Sequence, residues 1–451
     1  MRSFGFKNFR KFEDFPPIDL GSINILVGPN NSGKSTFIKA LMLMCENLGK
    51  NYSYDFPFYT DFIFPEWAQG FKHHIPHFSQ GGNMEFFASF NEFSFKLVLD
   101  NESTKDCPNG EKIKLKSIEF YFDTFEMNTL YLFNMNGGTL NVSFSADKMK
   151  EMYEKLRTGD YAIAKEYLND KTGTIEMTIS PYYDEARNIG FRDFLNNERD
   201  KPNEGEKHTI SFLLSQLKRC ILQIRDNVGI NNISADGVPT DIIINGEKHS
   251  TDNSKPIIDF YGLDNSSQMI VCEWMSSFGI CEEIKVERIE TNIYRAEAKT
   301  NGIWQPLGVL GKGSRHLFSL FVKLISTRSY YRLPMIFIEE PEQNLHPALQ
   351  SKLADLIYET YENAKVKPTM IIETHSEYLI RRLQVLVSDK VSNNHEDIDK
   401  INTDVKVYYF PENGLPYSMG FCSSGHFERQ FGSGFFDEAG KQYKSILLKS
   451  I

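Results

Sequence analysis

Apolar positions along this chain follow two periods. Residues 23–28 read INILVG, an apolar, β-rich run of the kind buried in a parallel sheet. Before it, SFGF leading into KNFRKFEDF predicts two short strands around a turn, and Pro16-Pro17 is expected to break the chain. After it, residues 32–48 predict a helix, because Phe37, Leu41, Met44 and Leu48 recur on one face. Residues 49–80 are aromatic-rich and irregular. Residues 84–145 return to strand character in MEFFASF, FSFKLVLD, IKLKSIEFYF and the hairpin LYLFNMNGGTLNVSF, which turns at Asn136-Gly137-Gly138. Helices are predicted over 146–168, 207–228 and 266–280. A polar loop is predicted over 229–256 and a strand hairpin over 283–300.

From residue 305 the alternation is cleaner. A helix (314–328) precedes the strand MIFIEE (335–340), and a helix (347–363) precedes the strand TMIIET (369–374). A helix (377–388), a polar break (389–404) and the strand VKVYYF (405–410) follow. Strands alternating with helices predict a parallel sheet covered on its faces, so the fold class is α/β. The sequence carries no repeats and no sustained heptads.

Composition narrows the function classes. The 451 residues carry 50 Lys+Arg against 60 Asp+Glu, a net charge of −10, which argues against coating nucleic acid with the whole surface but leaves room for a local basic groove. With 41 % hydrophobic and 24 % charged residues, a disordered chain and a disulfide scaffold are excluded. The six cysteines form no CxxC pair, which points to a reducing compartment. No window approaches the ~18 apolar residues of a membrane span, and the opening MRSFGFKNFRKF has no apolar signal core. A cytoplasmic protein without membrane contact is expected.

The candidate chemistry lies at strand ends. Gly28-Pro29-Asn30-Asn31-Ser32-Gly33-Lys34-Ser35 matches GxxxxGK[ST] between a predicted strand and a predicted helix. Its glycines let the backbone wrap phosphates, and the N–H groups opening the helix bind anions. Lys34 would reach the β- and γ-phosphates of a nucleotide, and Ser35 would ligate magnesium. MIFIEE ends in adjacent carboxylates. Glu339 is assigned to the metal shell and Glu340 to the attacking water. His375, after TMIIET, is placed to bond the γ-phosphate. Gly311-Lys312-Gly313-Ser314-Arg315 opens a helix and offers a second anion cradle, with a bland Gly-rich loop as the rival reading.

These elements, in this order, resemble the ABC-class ATPases of the RecF, SMC and OLD type. GPNNSGKST, which includes Thr36, is similar to their phosphate loop. MIFIEEPEQNLHP resembles their Walker B strand and D-loop, THSEYLI their histidine switch, and LGKGSRHL, with a departure from LSGGQ, their signature loop. KNFRKF resembles their first strand, where Arg10 would touch nucleotide. A Gln-containing loop is expected after the first helix, with Gln80 and Gln69 as rival candidates. The resemblance implies an ATPase head with a parallel-sheet core and a β-rich N-terminal lobe, interrupted by a large mixed α/β insertion. The expected division is 1–100, 101–282 (the insertion), 283–390 and a C-terminal extension, 391–451. It implies ATP and Mg2+ as cofactors and head-to-tail dimers, in which Gly311, Gly313 and Ser314 of one subunit complete the site of the other.

The insertion lacks the coiled coils of SMC proteins, and too few residues follow 390 for the TOPRIM nuclease domain of OLD proteins. The chain therefore resembles the stand-alone ATPases of anti-phage systems such as Septu and PARIS. The leading expectation is a homo-oligomeric ATP switch that senses a phage trigger protein and controls a separately encoded nuclease or other toxic effector. The alternative is a RecF-like repair or maintenance ATPase that binds DNA directly. Its basic candidates are Lys112, Lys114 and Lys116 on one strand face, with Lys148, Lys150, Lys155 and Arg157 on a helix; a solvated face balanced by Glu151 and Glu154 is the rival reading. His73, His74 and His77 lack a further ligand at metal spacing and read as a polar loop.

Overall fold

The computed structural model describes residues 1–50, 61–64, 83–100, 112–122, 127–134, 137–155, 159–179, 229–233, 255–290, 293–327, 334–393, 397–432 and 435–448, with short pieces between 205 and 216. Gln69, Gln80, His73, His74 and His77 lie outside the described residues, as does most of 207–228. The chain forms two compact units: residues 1–19 with 39–229, and residues 20–38 with 230–451.

In chain order the first elements are β1 (Ser3–Phe9), β2 (Phe12–Asp19), β3 (Ile23–Val27), α1 (Lys34–Lys50), β4 (Asp61–Ile63), β5 (Met84–Ser89) and β6 (Ser94–Asp100). Then come β7 (Lys112–Phe122), β8 (Met127–Asn134), β9 (Gly137–Ser145), α2 (Ala146–Lys155), α3 (Gly159–Asn169) and β10 (Thr174–Ile179). The single helix expected over 146–168 is thus two helices. The second half holds β11 (Gly229–Ile233), α4 (Lys255–Gly262), α5 (Asn265–Ser277), β12 (Glu283–Glu290), β13 (Ile293–Thr300), β14 (Ile303–Pro306), α6 (Lys312–Thr327) and β15 (Pro334–Glu339). It continues with α7 (Pro347–Asn363), β16 (Thr369–Glu373), α8 (Glu377–Ser392), α9 (Ile398–Asp404), β17 (Val405–Tyr409), β18 (Tyr417–Ser418) and α10 (Glu438–Leu448).

The first unit is built on a sheet in the order β10-β9-β8-β7-β6-β5-β1-β2, with β4 added beside β7. Its pairings are antiparallel, and phenylalanines fill one face. Phe4, Phe6, Phe9, Phe15 and Phe86 are buried, and the rings of Phe6 and Phe15 stack at 4.7 Å. Contrary to the expected break, β2 runs through Pro16-Pro17. It is an edge strand, so one of the two missing N–H groups faces no neighbour, and the other falls where the ladder to β1 is interrupted between the Phe4–Ile18 and Phe6–Phe15 pairs. The register shifts between Phe4 and Phe6, and Gly5 lies so close to Pro17 that a Cβ would come within 2.5 Å of its nitrogen.

The second unit carries the predicted α/β core. Its sheet has the order β11-β15-β16-β3-β17-β18, and β15, β16, β3 and β17 run parallel. These strands are apolar because both faces are covered. Asn24 is the polar exception inside β3. It is buried and satisfied: its side chain donates to Met370 O (3.1 Å) and Gly21 O (2.8 Å) and accepts from Gly21 N (2.8 Å). Helix α6 buries Leu317, Phe318, Leu320, Phe321, Val322, Leu324 and Ile325. Against it pack Phe260 from α4 and Phe278 after α5, with ring centroids 5.6 Å from Phe318 and 5.1 Å from Phe321. The expected polar break at 389–404 contains α9, started by Asp397, whose side chain accepts from Asp399 N. Among the described residues no helix is long and apolar enough to cross a membrane.

Candidate functional site

The site forms where the parallel strands end. Strand β3 delivers the chain into the 28–33 turn, and α1 begins at Lys34. Three residues take left-handed or related backbone there: Gly28 (φ 148), Asn31 (φ 60) and Gly33 (φ 110). At Gly28 glycine is required twice over, because a Cβ would also sit 2.2 Å from Phe410 O. Gly28 and Gly33 are buried, Asn30 and Asn31 are exposed, and Thr36 is buried. The loop therefore presents its tip to solvent and anchors its glycines.

Lys34 is 2 % exposed. Its Nζ donates to the loop's own carbonyls, Gly28 O (3.0 Å) and Pro29 O (2.8 Å), and lies 3.7 Å from Glu373. The Ser35 hydroxyl reaches both oxygens of the same carboxylate, at 3.0 and 2.8 Å. Burial lowers the pKa of Lys34 and raises that of Glu373, each against the pull of the other's charge.

The sheet order explains this convergence. β16 lies between β15 and β3, so Glu373 is in register with Glu339 on one side and with Leu26 on the other. Glu339 and Glu340 are half-buried at the end of β15. Glu340 has φ 46, a conformation non-glycine residues rarely adopt, and its N–H donates to Glu373 O at 2.8 Å. Its carboxylate accepts from the Gln343 amide and lies 3.8 Å from His375 Nε2. Ligand atoms of Glu340, Glu373 and His375 fall within 4.8 Å of one another.

His375 is half-buried, and burial, reinforced by the charge of Lys34, lowers its pKa, so the ring is neutral at pH 7. Its backbone N–H donates to Glu342 Oε1 at 2.6 Å. The adjacent Ser376 caps α8, accepting from Leu379 N (3.1 Å) and donating to Gln350 Oε1 (2.6 Å). Glu342 is 8 % exposed, and burial raises its pKa. Sequence reasoning missed Glu373 and Glu342. The available signals were a charge ending the apolar run TMIIE, and a further acid two residues after Glu340.

The donor set fits magnesium and phosphate: a serine hydroxyl and carboxylates are hard oxygen ligands, and a buried lysine with helix-start N–H groups suits an anion. Ser35, Glu339, Glu340 and Glu373 are the residues that would hold such a metal, and the 28–36 loop would hold the phosphates. Magnesium, when bound, neutralises phosphate charge.

Gly311 is exposed just before α6, whose first turn carries Gly313 and Ser314. This turn packs on the 341–346 segment, since a Cβ at Gly313 would meet Asn344 O at 2.9 Å. Gly311, Gly313, Ser314, Asn344 and Leu345 line one surface concavity. Arg10 belongs to the first unit, in the turn between β1 and β2 (φ 53), with its guanidinium 5.8 Å from the Phe9 ring.

A family model for the AAA ATPase domain matches residues 1–380. No curated protein matches the chain. Among solved structures, it is similar to an Smc head bound to the C-winged helix domain of ScpA, at 10 % identity over 93 % of this chain and 97 % of that one, with a TM-score of 0.43. It is also similar to the Smc head domain with an extended coiled coil bound to the C-terminal domain of ScpA derived from Pyrococcus furiosus (12 %, 99 % and 98 %, TM-score 0.39). A third is the SMC head domain from Thermotoga maritima (12 %, 94 % and 100 %, TM-score 0.34). By the family match, which spans most of its length, the chain belongs to the AAA ATPase domain family and is an ATPase.

Proposed function

We propose that this ATPase is a nucleotide-driven switch of anti-phage defence. Two copies close head to tail over ATP, and the assembly controls a separately encoded effector, a nuclease or another toxic protein, in response to a phage trigger. The observation that carries the reading is the convergence of Lys34, Ser35, Glu340 and His375 at one end of the parallel sheet, while Gly311, Gly313 and Ser314 line a separate concavity beside Asn344. A loop of that kind is available to a nucleotide held by a second copy.

In this reading Lys34 and the 28–36 backbone bind the phosphates. Ser35 and Glu339 face the magnesium. Glu340 orients and deprotonates the attacking water, and neutral His375 hydrogen-bonds the γ-phosphate. ATP then favours the closed pair and its loss favours separation, a population shift set by differential binding. A cytoplasmic location accords with this role.

The test is Glu340→Gln with ATP. The variant is expected to bind ATP, to hydrolyse it at least about 100-fold more slowly, and to elute as a dimer by light scattering. Lys34→Ala, as control, should stay monomeric. Wild-type turnover by Glu340→Gln would overturn the assignment of the water-activating carboxylate, and a monomer with bound ATP would overturn the closure. Capture of the trapped variant from its host, with mass spectrometry, should recover a separately encoded nuclease.

A second reading, direct DNA binding, is favoured by Lys114 and Lys116. Both are exposed on one face of β7, while Ile113, Leu115 and Ser117 between and beside them are buried. Recovery of DNA without an effector would select it.

A further inference from the structure

Glu373 engages, at once, the two side chains a magnesium nucleotide most needs. It ends β16, is 4 % exposed, and accepts from the Ser35 hydroxyl with both oxygens, at 3.0 and 2.8 Å. The Lys34 ammonium lies 3.7 Å away. Strand order makes this unavoidable, because β16 is the neighbour of the phosphate-loop strand and β15 is one strand further out. The acids ending β15 suffice for a metal ligand and a water-activating base. Glu373 is a third carboxylate, and it is the buried one.

That arrangement has a cost for a polyphosphate. A buried carboxylate beside the phosphate loop repels incoming phosphate oxygens, and low dielectric strengthens the repulsion. It also holds the lysine meant for those phosphates and the hydroxyl meant for their cation. A divalent cation relieves both effects, since it can share the carboxylate with Ser35. An oxygen of Glu373 already lies within 4.8 Å of a ligand atom of Glu340 and of one of His375.

We infer that Glu373 makes nucleotide binding conditional on a divalent cation: its charge, 3.7 Å from Lys34 and hydrogen-bonded to Ser35, opposes polyphosphate unless a cation shares the carboxylate. This rests on the ATPase reading of the site and adds a regulation to it. The protein would reject cation-free ATP, and the closed state would answer to the cation complex alone.

The test is equilibrium binding of a fluorescent ATP analogue to the full chain, with excess Mg2+ and with EDTA. Wild type is compared with Glu373→Gln, which keeps an acceptor for Ser35 and removes the charge. In EDTA the variant should bind at least about tenfold more tightly than wild type, about 1.4 kcal/mol. Its ratio of affinities with and without Mg2+ should fall by a similar factor. Glu373→Asp, which keeps the charge, should retain the wild-type ratio. Should Glu373→Gln fail to melt cooperatively, Glu373→Thr is the second neutral variant, since a β-branched residue suits a strand. Equal ratios within twofold for the charged and neutral proteins would overturn the inference. Absence of binding by wild type with Mg2+ would instead overturn the ATPase reading, so the two failures are distinct.

Discussion

Replacing Glu342 by alanine isolates what holds the histidine loop in place. Its Oε1 accepts the His375 backbone N–H at 2.6 Å. Glu342 is 8 % exposed, so water does not readily replace the lost acceptor. Leaving a buried donor unpaired costs about 1–3 kcal/mol, and Glu342→Ala orphans the His375 N–H. A global stability loss of about 1–3 kcal/mol is expected from denaturant titration. The larger effect should be on turnover. His375 rides on the freed segment, and misplacement by about 1 Å can cost ~100-fold in rate. We therefore expect kcat to fall about 30- to 100-fold with KM within about threefold, because the phosphate loop keeps its own hydrogen bonds. Glu342→Gln keeps the acceptor. Burial already raises the pKa of this carboxyl, and its Oε2 has no hydrogen-bond partner, so an amide should be tolerated with kcat within about fivefold of wild type. Phosphate-release kinetics on the three proteins decide the matter. Glu342→Ala within twofold of wild type would refute the anchoring argument, and Gln as poor as Ala would show that charge, not the acceptor, is what counts.

Two further predictions concern the frame of the site. His316 on α6 is 3 % exposed, neither ring nitrogen has a hydrogen-bond partner, and burial lowers its pKa. The unfolded chain therefore binds a proton that the folded chain resists, so this group's contribution is full above about pH 6.5 and is lost as pH falls, with a limiting slope of about 1.4 kcal/mol per pH unit. His316→Leu should flatten the decline of Tm between pH 6.5 and 5 measured by calorimetry, and parallel curves would refute the assignment. Gly28→Ala drives a Cβ to 2.2 Å from Phe410 O at φ 148 and should destabilise by about 3 kcal/mol in denaturant unfolding, where a loss under about 0.5 would contradict the close approach.

Local signals make part of the site legible in the amino-acid sequence. The 28–35 motif, the strand MIFIEE and the strand preceding His375 each announce themselves within about ten residues, because a buried parallel strand is an apolar run and a helix start follows it directly. Other features resist. Pro16-Pro17 reads as a break, and an edge position together with a register shift against β1 lets β2 run through it. The polar stretch before β17 hides α9, whose Asp397 cap is a signal weaker than the surrounding composition.

By itself the sequence determined that this chain folds around a parallel sheet and carries a GxxxxGK[ST] turn between a strand and a helix, because periodicity, turn chemistry and caps act between near neighbours. The tertiary structure alone decided which strand stands beside that loop. With β16 next to β3, Ser35 meets Glu373 across 338 residues, and Glu342 holds the backbone of His375 across 33. No local pattern encodes such contacts. They follow from the order in which strands pair, which is set by burying every apolar face at once.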